Sequence, residues 1–227
     1  AIDRSRKRVH TQKGEVVAYD RLILATGSKP FVPPIPGVEL EGVISFRDIQ
    51  DVNRMLDYCK TKQNAVVIGG GVLGLEAAYG LKQQGMNVTV LHLLVRIMDR
   101  QLDMKASQML KKSIEDKGIR IIIEANTEEL LGMDGHVTQL RLKDGTVLDA
   151  ELVVFAVGIR PNKTLAEQAG LRCNRGVLVN DTMQTYDPSI YAVGECIEHR
   201  GQTFGLVEPL WGQAFICATH LAEHGRL

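Results

Sequence analysis

Between residues 64 and 160 the chain alternates short, almost wholly apolar runs with longer stretches whose apolar residues recur every three or four positions. The runs are Ala65-Val66-Val67-Ile68, Val88-Thr89-Val90-Leu91, Ile119-Arg120-Ile121-Ile122-Ile123 and Leu152-Val153-Val154-Phe155-Ala156-Val157. Such runs suit strands of a parallel sheet covered on both faces. Helical spacing precedes and separates them: 48–60, before the first run, carries Ile49, Val52 and Leu56, 72–84 follows the first run, and 103–117 carries Ala106, Met109, Leu110 and Ile114 on one side. Gly85 and Gly118 stand where helix stops belong. The alternation Thr138, Leu140, Leu142, then Asp144-Gly145, then Val147 and Leu148 predicts a hairpin with a two-residue turn. Residues 46–160 therefore read as one βαβαβ unit with an inserted hairpin, about the size of one domain.

The junction after the first run carries the chemistry. Gly69, Gly71 and Gly74 form G-x-G-x-x-G between a buried strand and a helix, where a doubly wound fold cradles a dinucleotide pyrophosphate. The first glycine permits the turn and the second lets backbone N–H groups approach phosphate. The third lets the helix pack closely, and the helix N-terminus adds partial positive charge.

The flanks, 1–45 and 161–227, do not read as independent domains. Arg8–Thr11 and Val16–Tyr19 predict a hairpin, and Leu22-Ile23-Leu24-Ala25 a buried parallel strand. The four prolines at 30, 33, 34 and 36 forbid a helix and predict an extended connector between domains. Gly176–Val179 and Ile190–Gly194 read as strands, and Gln213–Leu221 as a helix preceded by Pro209-Leu210-Trp211. The economical arrangement folds both flanks together, with 46–160 inserted. Two strand ends, Ala25-Thr26-Gly27 and Ala192-Val193-Gly194-Glu195, then carry small residues that admit a ligand's close approach. Taken alone, Thr26-Gly27 reads rather as an ordinary strand-to-turn glycine.

Charge narrows the partners. The 27 basic and 27 acidic residues cancel, so no general attraction to nucleic acid or membrane is expected. The one dense basic run, Arg4-Ser5-Arg6-Lys7-Arg8, has no aromatic platform and reads as a solvated strand or turn. No apolar stretch approaches the ~18–20 residues of a spanning helix, and nothing resembles a signal peptide. Cys59, Cys173, Cys196 and Cys217 fit no C-x-x-C. They read as reduced packing residues of a cytoplasmic protein, with no metal site expected. The opening Ala1-Ile2-Asp3 enters strand-like sequence at once, so the chain is expected to be an internal piece of something longer.

The order Ala25-Thr26-Gly27, Gly69-x-Gly71-x-x-Gly74-x-Glu76, Gly158-Ile159-Arg160-Pro161-Asn162 and Tyr191-Ala192-Val193-Gly194-Glu195 resembles the two-dinucleotide-binding flavoproteins of the pyridine nucleotide-disulfide oxidoreductase superfamily, over essentially the whole chain. Within it, Val90-Leu91-His92-Leu93, Met98-Asp99-Arg100-Gln101-Leu102-Asp103, Gly194-Glu195-Cys196 and Thr203-Phe204-Gly205-Leu206-Val207 are most similar to the flavoprotein part of assimilatory nitrite reductase [NAD(P)H] large subunits. The resemblance implies an α/β fold. A Rossmann-like NAD(P)H-binding domain (46–160) is inserted into a partial FAD-binding domain of the glutathione reductase type (1–45 and 161–227). The family's first G-x-G-x-x-G, which grips the ADP half of FAD, is not in this sequence, nor are its iron–sulfur and sirohaem cysteines. Weak or no flavin retention by the chain alone, and a colourless preparation, are therefore expected.

The resemblance also implies roles. Backbone at Gly69, Gly71, Val72, Leu73 and Gly74 holds the NAD(P)H pyrophosphate, and Gly158 lies at the same cofactor. Glu76 sits near nicotinamide and flavin as the catalytic-site carboxylate; read locally, it is equally a glutamate favoured by the helix dipole. Thr26, Gly27, Arg47, Gly194, Glu195, Leu210 and Trp211 match flavin-contacting positions, with Glu195 accepting from a ribityl hydroxyl. The helix after 209–211 would turn its N-terminal amides to the flavin pyrimidine. Hydride passes from NAD(P)H to FAD, and electrons go on to iron–sulfur and sirohaem domains of the same subunit or to a separate acceptor.

The ribose-reading position departs from the simple rule. An acidic residue is expected about 20 residues after the first glycine, but the second run ends in His92, with Arg96 and Arg100 beyond. Without a carboxylate, a 2′-phosphate is not repelled and Arg96 would pair with it; the two side chains are equally readable as a solvated loop. A rubredoxin or ferredoxin reductase, an NADH oxidase, and a dinucleotide-binding module without turnover remain open alternatives. The oligomeric state is not legible.

Overall fold

The structure, a computed structural model, describes residues 1–224. It divides into two units, one made of 1–29 with 159–227 and the other of 30–158.

The N-terminal part of the first unit begins with β1 (Ile2–Asp3), β2 (Arg8–His10) and β3 (Val16–Ala18), an antiparallel three-stranded sheet. β4 (Leu22–Leu24) and β5 (Ser28–Pro30) follow.

The second unit opens with β6 (Val43–Ser45), then α1 (Ile49–Cys59), β7 (Asn64–Ile68), α2 (Val72–Gln83), β8 (Asn87–Leu91), α3 (Met104–Glu115) and β9 (Arg120–Ile122). After these come β10 (Thr127–Met133), β11 (His136–Leu142), β12 (Val147–Asp149) and β13 (Leu152–Phe155). Its main sheet is parallel throughout, in the order β6-β13-β7-β8-β9. β13 lies inside that sheet and is buried at every position, and Val67, Val90 and Val154 have 0% exposure. This is why the central strands read as unbroken apolar runs rather than alternations.

Local chemistry starts each helix. The Asp48 carboxylate accepts from the Gln50 and Asp51 N–H groups, and Asp51 accepts back from Asp48 N–H, a reciprocal cap on α1. Asp103 caps α3 through Ala106 N–H at 2.8 Å. On α3 the sheltered residues are Ala106, Ser107, Leu110 and Ile114. Met109 is 66% exposed, not on the packed side as its spacing suggested. Ser107 takes the buried place, where its hydroxyl donates to Ile97 C=O at 2.8 Å.

Three sequence expectations change here. The unit boundaries fall at 29/30 and 158/159 rather than at 45/46 and 160/161. The cause is β6, which completes the edge of the parallel sheet, together with the proline-rich segment before it. That segment is no bare connector: Ile35, Val38 and Leu40 pack against Leu130, Val137 and Leu140, and Pro36 C=O accepts from Leu130 N–H at 2.9 Å. Finally, the inserted hairpin is a three-stranded antiparallel sheet, β10-β11-β12. Its β11–β12 turn closes between Leu142 N–H and Thr146 C=O at 2.8 Å, making Lys143-Asp144-Gly145 a three-residue loop with Gly145 at φ +88°.

The first unit resumes with β14 (Ile159–Pro161), α4 (Thr164–Gln168), β15 (Val177–Leu178), β16 (Ile190–Ala192), β17 (Ile197–His199), β18 (Gln202–Thr203) and α5 (Val207–His224). β14 pairs with β5, and β16 lies parallel to β4 with Ala192 opposite Leu24. Both flanks thus share one core, in which Leu24 from the N-terminal part packs with Ile190, Tyr191, Ile197 and Cys217 from the C-terminal part. Arg4, expected among solvated charges, is instead a joint of this unit. It donates to Asp187 Oδ2 at 2.8 Å and to the Tyr186 hydroxyl at 2.6 Å, with its guanidinium over the Tyr186 ring. Burial pushes the Asp187 carboxyl up, but hydrogen bonds from Arg4 and Ser189 N–H outweigh it and leave the group below its ordinary value. Among the described residues no helix is long and apolar enough to cross a membrane.

Candidate dinucleotide and flavin sites

At the carboxyl end of β7 two of the three motif glycines are required by the packing of the chain itself. Gly69 sits at φ +124°, and a Cβ there would fall 2.3 Å from Ala156 C=O, just beyond β13. At Gly74 a Cβ would lie 1.8 Å from the Gly69 carbonyl oxygen, so the first turn of α2 presses directly on the loop. Gly71 differs: its φ is −88°, and a Cβ would meet nothing within 4 Å. Packing inside the protein therefore does not require glycine at 71; a ligand drawn close to the loop would. Gly71 is also the N-cap of α2 and provides no side-chain cap. The first-turn N–H groups at Val72, Leu73 and Gly74 thus keep the orphan donors and the positive dipole end that bind anions. Val72 and Leu73 are exposed beside them.

The loop after β8 is fastened to this turn. His92 is only 9% exposed, and its Nδ1 accepts from Gly70 N–H at 3.1 Å. From the other side, Met98 N–H donates to Gly70 C=O at 2.8 Å, with Met98 itself in the left-handed region at φ +51°. The imidazole thus lies against the glycine loop and is engaged with its backbone. Arg96 donates from Nη2 to Asp99 C=O at 3.1 Å, and its Nε is buried without a hydrogen-bond partner. Glu76 is exposed on α2 and borders a groove of about 190 Å³ between α1 and α2, lined also by Phe46, Met55 and Gly80. Gly158, at φ +102°, ends the β13 run with open space where a Cβ would stand. Arg47 lies in the second unit just before α1, where its N–H donates to Asp51 at 2.9 Å.

In the first unit the carboxyl ends of the parallel pair β4 and β16 lie side by side. The glycines beyond them, Gly27 (φ +64°) and Gly194 (φ +89°), both open toward empty space at the Cβ position. Glu195 Oε2 accepts from the Ser28 hydroxyl at 2.8 Å. Thr26 donates to Asn162 C=O at 2.6 Å, and Asn162 returns bonds to Thr26 C=O and, through its N–H, to Gly27 C=O. Gln213, unmarked in the sequence, is 5% exposed; its Oε1 accepts from Gly194 N–H at 2.8 Å and its Nε2 is buried without a partner. The only sequence signal for it is its helical spacing with the buried Cys217.

The tripeptide Pro209-Leu210-Trp211 belongs to α5 rather than preceding it. Proline is tolerated so early because N–H groups of a first turn have no intrahelical acceptor. Trp211 is 73% exposed and Leu210 partly buried.

A model of the family described as pyridine nucleotide-disulphide oxidoreductase matches residues 1–213. Nitrite reductase [NAD(P)H] of Bacillus subtilis (strain 168) is 52% identical over 220 residues, covering 97% of this chain and 27% of that protein. The assimilatory nitrate reductase electron transfer subunit of the same organism is 44% identical, covering 97% of this chain and 28% of its own length. The chain thus spans little more than a quarter of these relatives. Among solved structures, the ferredoxin reductase for the CYP199A2 system of Rhodopseudomonas palustris superposes with a TM-score of 0.91 at 31% identity, covering 97% of this chain and 56% of that one.

Proposed function

The chain belongs to the pyridine nucleotide-disulphide oxidoreductase family, and from that premise we propose that it is the NAD(P)H-binding part of a flavoprotein reductase in a nitrite reductase large subunit. The observation that carries the reading is Gly71: glycine stands where no protein atom demands it, at the uncapped start of α2. The orphan donors there suit a pyrophosphate. On the flavin side, the paired strand ends with Gly27 and Gly194 suit a ligand at the carboxyl edge of a parallel pair.

When bound, NAD(P)H supplies a hydride and FAD accepts it. The chain's own part is to hold the pyrophosphate on backbone 69–74 and to present Glu76 from α2 toward the nicotinamide. Thr26, Gly27, Gly194, Glu195, Leu210 and Trp211 of the first unit serve the flavin. Electrons then pass to iron–sulfur and sirohaem domains, or to a separate acceptor, in a cytoplasmic protein. Support for this partner class comes from the relatives named nitrite reductase and electron transfer subunit. In the test, FAD is added to the purified chain and to the longer polypeptide under anaerobic conditions, followed by NADH or NADPH. Bleaching of protein-bound flavin by the longer polypeptide supports the reading. Nucleotide binding without bleaching by either would assign a module that binds and does not turn over.

Arg96 decides between the two nucleotides. A guanidinium beside a strand end that carries no carboxylate suits a 2′-phosphate. Arg96→Ala is expected to weaken NADPH binding about tenfold or more, the scale of a charge-assisted pair, while NADH affinity changes little. Equal loss for both nucleotides, measured by calorimetry, would show that Arg96 does not read the phosphate.

A further inference from the structure

We propose that His92 is the positioning residue of the dinucleotide site, locking the Gly70 backbone so that the donors following it face the pyrophosphate; this rests on the NAD(P)H reading of the glycine turn. Gly70 is held at both of its polar groups. Its N–H donates to His92 Nδ1 at 3.1 Å, and its C=O accepts from Met98 N–H at 2.8 Å. The C=O and N–H of a trans peptide point in opposite directions. Tying the Gly70 carbonyl to Met98 therefore aims the Gly71 N–H away from the 96–98 loop. The His92 bond holds the preceding peptide, and together the two bonds restrain φ and ψ of Gly70. Space enforces the same arrangement, since a Cβ on Gly70 would lie 2.8 Å from Ile97 Cγ2 and 3.0 Å from His92 Cγ.

The tautomer follows from the geometry. An Nδ1 that accepts a hydrogen bond leaves the proton of the neutral ring on Nε2, which stands 3.5 Å from Asp99 Oδ1 without a hydrogen bond to it. Asp99 C=O in turn accepts from Arg96 Nη2 at 3.1 Å. Met98 ties the loop to the segment carrying Arg96, and the imidazole bonds the Gly70 N–H from the other side. The ring's contribution is to orientation of the turn, not to recognition of either ribose.

The test compares His92→Asn, His92→Gln and His92→Leu in the intact chain, with NADH and NADPH as the titrated probes, below each variant's melting midpoint. Asparagine carries its oxygen at the same number of bonds from the backbone as Nδ1 and still reaches Gly70 N–H; glutamine overshoots, and leucine offers no acceptor. Expected is near-native affinity for Asn, and for Gln and Leu a loss of about tenfold, the scale of one buried hydrogen bond, equal for the two nucleotides. A loss confined to NADH or NADPH would make His92 a direct ribose contact and overturn the proposal. So would Asn binding as poorly as Leu, or Gln and Leu binding as well as wild type. Should wild type bind neither nucleotide, it is the NAD(P)H reading that fails.

Discussion

Alanine at Gly74 is expected to collapse the glycine turn, whereas alanine at Gly71 should leave the fold intact and abolish tight nucleotide binding. At Gly74 the added Cβ would stand 1.8 Å from the Gly69 carbonyl oxygen, a backbone atom that cannot swing aside. Relief requires α2 to lift from its loop, which costs about 3 kcal/mol or more, the upper range for overpacking. Ala77, Ala78 and Leu81 of α2 are core residues, so the damage reaches the whole second unit. Gly69→Ala should behave similarly, since it combines φ +124° with a 2.3 Å approach to Ala156 C=O. Gly71→Ala meets no atom and keeps an extended backbone that any residue adopts. Its melting temperature should match wild type or rise slightly, while NADH affinity falls by about tenfold to a hundredfold, because the methyl occupies the path of the phosphate to the donors. Thermal melts and calorimetric titration on the three variants separate the two effects. Unchanged affinity in Gly71→Ala would remove the pyrophosphate from this turn.

The same contrast explains what the sequence made legible. A glycine's requirement is imposed by backbone within a few residues, and a strand buried on both faces announces itself as an apolar run, so the turn, β7, β8 and β13 could be read directly. The placement of 30–45 could not. Ile35, Val38 and Leu40 follow no period, and the surface they cover is made by β10 and β11, far along the chain. Pro209 looked like a helix boundary because proline usually is one; only the observed start of α5 at Val207 puts it in the tolerated first turn.

Side-chain partners were the least legible part of the site. His92 occupies a position that family logic gives to ribose recognition, and nothing in local spacing reveals that its ring turns inward to Gly70. Gln213 was hidden for the same reason. In each unit the glycine beyond a parallel strand, Gly70 or Gly194, has its N–H taken by a side chain from another element. Buried amides must be satisfied somehow, and at loops of such sharp curvature the sheet itself cannot do it. A polar residue buried near a glycine-ended strand is thus a sign of a shaped loop, but the pairing becomes visible only in three dimensions.

Glu198→Ala is expected to destabilise the first unit by about 2–4 kcal/mol while leaving nucleotide affinity of the second unit unchanged where that unit remains folded. Glu198 is 4% exposed on β17, yet its carboxylate is well supplied: Asn174 Nδ2 donates at 3.1 Å, Arg175 N–H at 2.7 Å and Gly176 N–H at 3.3 Å. Truncation strands these donors against a turn that cannot rearrange, because a Cβ on Gly176 would already lie 2.6 Å from the Ile197 carbonyl carbon. The pH dependence has a definite sign. Burial raises the Glu198 carboxyl, but the bonds from Asn174, Gly176 and Arg175 exceed that effect and hold it below the ordinary value of 4.5. A depressed carboxyl contributes stability above its unfolded value and loses it as pH falls through the folded one. Wild type should therefore lose stability in acid over that window, and Glu198→Gln, uncharged throughout, should lack this component. Melts of wild type and both variants from neutral pH down to about pH 3, a range spanning the ordinary carboxyl values, supply the test. Parallel pH profiles for wild type and Glu198→Gln would show that the turn at 174–176 does not draw on the charged form.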